Sequence, residues 1–449
     1  MALRLMERAR AGKPVRVGLI GAGKFGAMFL SQALRTPGLH VAGVADLDLN
    51  RIRGAFAGIA AEAGRTRAKS VGEALASGQS FITDDALALI AADGLDAIVE
   101  ATGNPAAGIA HSLACFRRQR HVVMVNVEAD ALAGPLLARR AAEAGVLYSL
   151  AYGDQPALIA ELVDWARVIG FEVVCAGKGT KHLPAYHRST PETVWHHYGF
   201  TPAQVAAGGF NARMFNSFLD GTKSAIEMAA VANATGLDAP EDGLAFPPCS
   251  VDELPTVLRP AADGGALRGS GTVEVVSSLE RDGRPLARDL RWGVFVTFKA
   301  PSDYVRRCFS EYGIRTDPSG RYGALYRPYH FIGLELGVSI ANIALRGETT
   351  GTAQDFRADV AAVAKRDLKA GEILDGEGGY SVYGKLLPAR ASLQGSALPI
   401  GLAHGLRLVK SVPAGEIVRW EDCAIDENSL AVRVRREMES MFRPALGLA

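Results

Sequence analysis

The stretch from Val15 to Asp48 constrains the fold more strongly than any other part of the chain. A short apolar run, Val15–Ile20, leads into the glycine pattern GAGKFG at 21–26. Apolar residues then recur at helical spacing, and a second apolar run follows at His40–Ala45. This order of strand, glycine turn, helix and strand predicts a βαβ unit whose turn and helix N-terminus hold the phosphates of a dinucleotide. The alternative is a glycine turn in an α/β protein of another kind.

The glycines of this pattern have separate physical roles. Gly21 permits the tight turn, Gly23 lets the backbone approach a pyrophosphate, and Gly26 lets the helix pack on the strand. Asp46 ends the second run at the distance where an acid meets the adenosine ribose, which favours NAD, whereas two nearby arginines favour the 2′-phosphate of NADP. The residues predicted to bind the cofactor are Gly21, Gly23, Lys24, Phe25, Gly26, Asp46, Arg51, Arg53, Thr102, Gly103, Asn104 and Asn126.

The composition is that of an ordinary globular protein. The 449 residues are enough for two or three domains, and the net charge of +1 favours neither nucleic acid nor an anionic membrane as a partner. The five cysteines are scattered without a CxxC pair, which argues against a disulfide framework or a zinc site. No apolar run reaches the ~20 residues of a membrane span, and the first residues contain no hydrophobic signal core. We expect a cytoplasmic protein.

Strands and helices alternate up to about residue 151. This alternation predicts a parallel, doubly wound sheet of the α/β class, which makes residues 1–151 a Rossmann domain. Ligands bind at the carboxyl ends of such strands, where Thr102-Gly103-Asn104 and Asn126 lie. The predicted strands after the first two are Ser80–Thr83, Asp96–Ala101, His121–Asn126 and Val146–Leu150, and the predicted helices are Asn50–Gly64, Ser70–Ser77, Ala106–Arg118 and Ala131–Ala144.

Residues 152–349 are predicted to form an α+β domain that binds the substrate and supports a homo-oligomer. Its long segment without clear periodicity, 183–210, is of a kind that is often functional. The predicted elements are a helix at Ala157–Ile169, a strand at Phe171–Ala176, a glycine-broken turn at 177–182, a helix at Met214–Thr235, a strand-rich stretch at Leu267–Lys299 and a buried helix at Phe331–Leu345.

The last hundred residues differ in character and contain two similar phrases. Ala-Gly-Glu occurs at 370–372 and again at 414–416, each time before apolar residues. The pair of phrases resembles the SAF domain, a small β-clip module in which each phrase makes a turn. Residues 350–449 are therefore predicted to be a C-terminal SAF domain with an unidentified ligand.

Lysine is rare in this chain, with eleven lysines among forty-nine basic residues. A nicotinamide enzyme needs a proton donor or acceptor beside the reacting carbon, and a buried lysine can serve. Asp220, Lys223 and Glu227 share one face of the predicted helix, either as catalytic groups or as a solvated surface set. Lys178 and Lys181, in the predicted turn, either hold a phosphate or carboxylate of the substrate or form an exposed basic loop.

Two acids are placed at predicted sheet ends. Asp154 and Glu128 can contact the substrate or bind a divalent Mg or Mn ion, although Asp154 also suits a helix cap. The histidines show no metal-ligand spacing, so the metal site is left unassigned. The residues predicted to be catalytic are Lys178, Lys181, Asp220, Lys223, Asp154 and Glu227.

The order of these parts resembles homoserine dehydrogenase. In that family an Asp and a Lys on a helix of the second domain flank the substrate, which implies these roles for Asp220 and Lys223. The family spaces the pair by four residues and this chain by three. The family also has an Asn-Lys motif where this chain has Asn126-Val127-Glu128, so homoserine is not the expected substrate.

The whole chain is more similar to the 1-deoxy-D-xylulose 5-phosphate reductoisomerase-like proteins, which are related to homoserine dehydrogenase and carry a C-terminal SAF domain. The resemblance rests on Gly153-Asp154-Gln155-Pro156, the glycine-lysine segment 177–181, Arg327–His330 and the SAF module. It implies an NADPH-dependent rearrangement and reduction that yields 2-C-methyl-D-erythritol 4-phosphate for isoprenoid biosynthesis, with NADH as the alternative cofactor.

That resemblance also implies roles for the candidate residues. Lys178, Lys181 or Lys223 would hold phosphate or protonate oxygen, and Asp154 or Glu227 would organise the substrate hydroxyls, with or without a divalent ion. Two other functions stay open. One is a dehydrogenase of another polyol phosphate, sugar acid or amino-acid alcohol, and the other is a cofactor-binding sensor without catalysis.

Overall fold

The structure is a computed structural model that describes residues 1–59, 64–208 and 210–448. The chain forms two compact units, of which the first contains Met1–Leu158 and Phe331–Gln354. The second contains Ile159–His330 and Asp355–Ala449. The first unit is therefore discontinuous in sequence, a feature that the predicted limits at 151 and 349 do not include; those limits remain predictions.

The N-terminal part of the chain alternates strands and helices, as the sequence predicts. The strands are β1 (Val15–Ile20), β2 (Leu39–Ala45), β3 (Phe81–Thr83), β4 (Ala97–Glu100), β5 (His121–Met124) and β6 (Tyr148–Leu150). The helices are α1 (Ala2–Arg10), α2 (Lys24–Ala33), α3 (Leu49–Gly58), α4 (Val71–Ser77), α5 (Ala86–Ala91), α6 (Pro105–Arg117), α7 (Val127–Glu143) and α8 (Gln155–Val168).

The six strands form one parallel sheet in the order β3-β2-β1-β4-β5-β6. This is the strand order of a Rossmann domain, and the predicted α/β class is confirmed. The strands are short and apolar because helices cover both faces of a parallel sheet. Val17, Leu19 and Val44 are fully buried at its centre.

Four elements of this part differ from the prediction, and the first is α1, a helix that was not predicted. Helix α7 begins at Val127 rather than Ala131, because the Asn126 side chain accepts a hydrogen bond from the Ala129 N–H at 3.0 Å and caps it. Glu128 consequently lies in the first helical turn and not at a strand end. Helix α5, which Asp85 caps, was not predicted. The predicted helix Asn50–Gly64 is observed as α3, and its residues 60–63 lie outside the described residues.

The middle of the chain contains a second, mixed sheet. Its elements are β7 (Glu172–Thr180), α9 (Val194–Tyr198), α10 (Pro202–Gly208), α11 (Ala212–Leu219), α12 (Thr222–Thr235), α13 (Leu254–Val257), β8 (Thr272–Ser277), β9 (Val294–Lys299), α14 (Asp303–Glu311) and β10 (Tyr322–Arg327), followed by α15 (Gly337–Arg346). The strand order is β10-β9-β7-β8, with β7 and β8 parallel and the other neighbours antiparallel. Helix α12 packs on β7 and β8.

The predicted glycine turn at 177–182 is wrong. Strand β7 continues through Thr180, and both glycines lie inside it. A Cβ at Gly177 would collide with the carbonyl oxygen of Glu274 on β8, and a Cβ at Gly179 would collide with that of Leu290. These glycines therefore allow a close approach of neighbouring backbone instead of a turn.

The predicted helix Met214–Thr235 is also wrong as a single element. Helix α11 ends at Leu219, and α12 begins at Thr222 after a break at Asp220 and Gly221. Gly221 has a φ of 90°, in the left-handed region that favours glycine. Asp220 therefore does not share a helical face with Lys223 and Glu227.

The predicted buried helix near 331–345 is observed as α15, which ends at the left-handed Gly347. It belongs to the first unit, where it packs on α2 and the Rossmann sheet. Leu336 and Ile340 are fully buried in that core. The chain thus returns to the N-terminal unit before it enters the last part.

The C-terminal part consists of two small antiparallel sheets and two helices. Strand β11 pairs with β13 and β12 with β14. The predicted turns at the two Ala-Gly-Glu phrases are present, with φ of 92° at Gly371 and 86° at Gly415. The elements are β11 (Ala358–Ala364), β12 (Ile373–Asp375), β13 (Val382–Pro388), α16 (Ala389–Gln394), β14 (His404–Arg407) and α17 (Leu430–Phe442). In the described part of the chain, no helix has the length and apolar character needed to span a membrane.

Candidate functional site

The glycine turn between β1 and α2 has the geometry that a dinucleotide site needs. Gly21 has a φ of 99°, and a Cβ there would lie 2.5 Å from the Ala101 carbonyl oxygen. A Cβ at Gly26 would collide with the Gly21 carbonyl oxygen, so only glycine lets α2 lie this close to β1. Gly23, by contrast, has open space within 4 Å of its Cβ position. The backbone at Gly23, at the N-terminus of α2, is thus accessible to a phosphate group.

Asp46 fixes this turn from the end of β2. Its carboxylate accepts hydrogen bonds from the backbone N–H groups of Ala22 at 2.8 Å and Asp48 at 2.9 Å. The Arg51 guanidinium lies 3.4 Å from the same carboxylate and is 57% exposed. Arg53 is an exposed residue that hydrogen-bonds Asn50. Asp46 is therefore a turn-stabilising acid with an exposed arginine beside it. Lys24 is exposed and Phe25 packs into the core of the first unit.

The predicted residues at the strand ends are joined by hydrogen bonds. The Asn126 amide donates to the Asn104 carbonyl oxygen at 2.8 Å and lies 3.3 Å from the Thr102 hydroxyl. The Asn104 side chain caps α6 by accepting from the Ala107 N–H at 3.0 Å. Gly103 has a φ of 68° with open space around it. The structure thus brings these four residues together at one edge of the sheet.

Two polar residues behind this edge, Glu100 and His111, are not among the predicted site residues. Glu100 is fully buried at the end of β4, where its Oε1 accepts from the Thr102 hydroxyl at 2.6 Å and lies 3.2 Å from His111 Nδ1. Its Oε2 is buried without a hydrogen-bond partner among the described residues. The sequence signal for Glu100 is an acid inside the apolar run Ala97–Ala101. Burying a carboxylate costs free energy unless hydrogen bonds or a charged partner compensate it, so such an acid usually has a specific role.

Gly26→Ala should weaken cofactor binding by on the order of a hundredfold, because displacing the turn by about an ångström misplaces every group that contacts the phosphates. Gly54→Ala is the matched control, since Gly54 lies in α3 with no atom within 4 Å of the position that the added methyl group would take. That control should leave binding unchanged and raise stability by about 0.5–1 kcal/mol. Fluorescence titration with NADH and with NADPH measures both variants, and equal affinities would contradict the predicted role of Gly26.

A second buried acid in this unit predicts a dependence of stability on pH. Burial raises the pKa of Asp130 to about 7, although a hydrogen bond from the Tyr148 hydroxyl opposes the shift. Its unfolded value is about 3.9, so between about pH 4 and 7 the native state binds the extra proton and stability falls as pH rises. Above pH 7 this contribution is constant.

Asp130→Asn keeps an acceptor for Tyr148 and removes the titration. The variant should therefore gain roughly 3–4 kcal/mol relative to the wild type between about pH 4 and pH 8. Urea unfolding of both proteins near pH 4, 6 and 8 measures the difference. A difference that is the same at all three pH values would exclude Asp130 as the titrating group.

In the second unit, the structure pairs two of the predicted catalytic residues. Lys178 extends from the centre of β7 to Glu227 on α12, and its Nζ donates a hydrogen bond to Glu227 Oε2. Both residues are buried, at 4% and 2% exposure. A fully buried lysine–glutamate pair is rare without a structural or chemical role. The surface-loop interpretation of Lys178 is therefore wrong.

Asp220 is paired with a lysine that the sequence analysis did not select. Lys365, at the end of β11, donates to Asp220 Oδ2 at 2.7 Å and to the carbonyl oxygens of Ser189 and Gly379, each at 2.8 Å. Burial raises the pKa of Asp220, while Lys365 and the Thr222 N–H act in the opposite direction. The signal for Lys365 was the rarity of lysine, since it is one of only eleven.

The remaining candidates lie in separate surroundings. Lys181 donates to the His197 carbonyl oxygen at 2.6 Å, and burial followed by the nearby Arg291 lowers its pKa. Lys223 is half-buried in the first turn of α12. Asp154 is buried at the start of α8, where it accepts from the Gln155 N–H at 2.8 Å. Among the described residues, no three His, Cys, Asp or Glu side chains are grouped to hold a metal ion.

Family models assign the class of the protein. Residues 153–336 match the model described as Oxidoreductase DRL, catalytic domain, and residues 359–424 match the SAF domain. The chain thus contains a segment that matches an oxidoreductase catalytic domain, followed by an SAF domain, and the prediction of an SAF module near the C-terminus is confirmed. The matched catalytic segment contains Lys178, Lys181, Asp220, Lys223 and Glu227.

Individual proteins give less information. No curated protein matches the chain. The solved structures that resemble it include a probable dehydrogenase from Thermotoga maritima, with 14% identity, a TM-score of 0.37 and coverage of 76% of this chain and 91% of that one. Another is myo-inositol dehydrogenase from Lactobacillus casei, with 17% identity, a TM-score of 0.28 and coverage of 40% of this chain. The chain spans 50% of that dehydrogenase. At these values the likenesses carry no argument about function.

Proposed function

We propose that this chain is an NADPH-dependent oxidoreductase of a small phosphorylated ketose. The observation that carries the proposal is the buried Lys178–Glu227 pair inside the matched oxidoreductase catalytic segment. Reduction of a carbonyl requires a proton for the new hydroxyl, and a lysine in an enclosed site can supply it. Glu227 accepts a hydrogen bond from Lys178 and so fixes the orientation of the ammonium group.

The glycine turn supports a nicotinamide dinucleotide as the cofactor, which would supply the hydride. Gly21, Gly23 and Gly26 would receive the pyrophosphate at the N-terminus of α2. The Asp46 carboxylate accepts a hydrogen bond from the turn, and the exposed Arg51 beside it offsets its negative charge. Because the positive charge of Arg51 attracts a phosphate, this arrangement favours a ribose with a 2′-phosphate over a free ribose. Arg51→Ala should therefore weaken NADPH and leave NADH unchanged in a titration; equal affinities of the wild type for both would refute NADPH preference.

The finer proposal is that the substrate is 1-deoxy-D-xylulose 5-phosphate and the product 2-C-methyl-D-erythritol 4-phosphate. It rests on the similarity of the parts along the chain to reductoisomerase-like proteins. Lys181 and Lys223 are two further lysines in the matched segment, and we assign the phosphate of the substrate to them. Their positions in one compact unit with Lys178 support this assignment.

The test is NADPH oxidation by the purified chain with this substrate, in one buffer with Mg²⁺ and one with EDTA. Turnover that yields the branched carbon skeleton of the expected product, identified by NMR, supports the finer proposal, whereas an unbranched deoxypentitol phosphate of the same mass shows simple reduction. Absence of turnover in both buffers excludes the reductoisomerase. A panel of polyol phosphates, sugar acids and amino-acid alcohols, assayed with NADP⁺ or NAD⁺ for formation of the reduced cofactor, then tests the broader dehydrogenase. A chain that binds NADPH and converts no member of the panel would be a cofactor-binding sensor.

A further inference from the structure

A cavity of about 220 Å³ lies within the second unit, between the matched catalytic segment and the SAF segment. His187, Gly221 and Phe246 line it from the catalytic segment, and Tyr383 and Lys385 line it from strand β13 of the SAF segment. Its volume is below the range of roughly 300–1,000 Å³ that is usual for drug-sized ligands. It therefore suits a small molecule and excludes a dinucleotide.

Three polar groups on its walls lack partners in the described part of the chain. His187 Nδ1 donates to the Asp220 carbonyl oxygen at 2.7 Å, which leaves Nε2 as a free acceptor. Neither the Tyr383 hydroxyl nor the Lys385 ammonium has a hydrogen bond or ion pair there. Asp242, the acid at the same cavity, pairs with Arg268 instead. All three side chains are half-buried, and polar groups at a cavity wall without protein partners bind water or a ligand.

Ring-stacking contacts fix the side chains that line the cavity. The Tyr383 and His187 rings stack with centroids 4.5 Å apart, and Phe246 stacks on His182 at 3.9 Å. Phe246 has a φ of 47°, which is unfavourable for a bulky residue, and its N–H lies 3.4 Å from the buried Glu274 carboxylate. Such backbone strain is concentrated at ligand sites in proteins.

We propose that this cavity binds a small hydroxylated anion, with the Lys385 ammonium on its phosphate or carboxylate and His187 Nε2 and the Tyr383 hydroxyl on its hydroxyl groups. Burial lowers the pKa of His187, and although Asp220 opposes this, Lys365 and Lys385 add to it. A neutral imidazole with Nδ1–H bound to a carbonyl accepts a hydrogen bond at Nε2, which a ligand hydroxyl can donate. Because the two segments contribute opposite walls, a ligand here contacts both. The proposal rests on these wall residues and not on the proposed reaction.

The test is isothermal titration of the full chain, without nicotinamide cofactor, with glycerol 3-phosphate and with glycerate. Glycerol and inorganic phosphate are titrated separately as controls, because glycerol carries only the hydroxyl groups and phosphate only the anionic group. We expect one of the two hydroxylated anions to bind more tightly than either half, and the better one identifies phosphate or carboxylate as the preferred group. Lys385→Met should weaken that binding by about tenfold or more, and Tyr383→Phe, which retains the stack on His187, by several-fold.

Lys369→Met is the matched control, because Lys369 is an exposed lysine of the same segment. It should bind the probes as the wild type does. Lys385 has no ion-pair partner among the described residues, so its replacement leaves no carboxylate there buried alone, and the folded state of the variant is checked by its thermal unfolding. Absence of binding to both hydroxylated anions, or equal affinity of Lys385→Met and the wild type, would overturn the proposal. Binding is scored without turnover, so an inactive chain that binds the probe would refute only the proposed function.

Discussion

Lys178→Met is expected to lower kcat/KM of the oxidoreductase reaction by about a thousandfold while leaving NADPH affinity unchanged. The loss follows from the removal of the proton donor, since positioned acid–base groups contribute roughly 10²–10⁴-fold. The glycine turn proposed to bind the cofactor belongs to the first unit and Lys178 to the second, so the substitution changes no group of the turn. Steady-state kinetics and a fluorescence titration measure the two quantities.

A stability effect accompanies this substitution and must be separated from it. Removing one partner of a buried ion pair leaves the other charge uncompensated, at a cost of about 3–5 kcal/mol. The double variant Lys178→Met with Glu227→Leu removes both charges and keeps similar volumes, so its stability should return close to that of the wild type. Its activity should stay lost. Recovery of activity together with stability in the double variant would show that the pair is structural and that Lys178 is not the donor.

Lys365→Met should destabilise the second unit by about 3–5 kcal/mol, because it leaves Asp220 buried without its cation. The ammonium group also satisfies two backbone carbonyl oxygens, Ser189 and Gly379, so the cost includes two further hydrogen bonds. Asp220 and Ser189 come from the catalytic segment and Gly379 from the SAF segment. The variant should therefore loosen the attachment of the two segments before the whole chain unfolds.

Urea unfolding and native-state hydrogen exchange measure this effect. Exchange should accelerate in β11 and β13 and around the break at Asp220, and the unfolding midpoint should fall. Lys369→Met replaces an exposed lysine four positions away and should change stability by less than about 0.5 kcal/mol. An unfolding curve of Lys365→Met that coincides with that of the control would rule out a stabilising role for Lys365.

The first unit could be predicted from the sequence because its signals are local. The turn at Gly21–Gly26 lies between an apolar strand and a helix, and the order of these elements leaves few alternatives. The boundaries were less certain where a cap decides them, as at Asn126 before α7. The apolar run Ala97–Ala101 predicts a buried strand and does not indicate a role for Glu100, although burying its carboxylate costs more free energy than burying any apolar neighbour gains.

The second unit was harder because its decisive contacts are distant in sequence. The glycine pattern predicts a turn at Gly177, whereas the residue that requires a glycine there is Glu274, almost a hundred positions later, whose carbonyl oxygen lies against it. Lys178 and Glu227 were both selected as candidates, but no local pattern indicated that they contact each other. Asp220 was assigned to a helical face with Lys223, whereas its partner Lys365 lies in another segment. Helical periodicity cannot reveal a break that one left-handed glycine introduces.

The discontinuity of the first unit has a consequence for biosynthesis. Leu336 and Ile340, beside and within α15, fill the core between α2 and the parallel sheet, yet they are translated after most of the second unit. During synthesis, part of the apolar surface of the N-terminal strands therefore stays uncovered until α15 is translated, and uncovered apolar surface promotes aggregation. A fragment that stops at Leu158 would expose the same surface permanently, so an isolated cofactor-binding fragment needs the 331–354 segment joined to it.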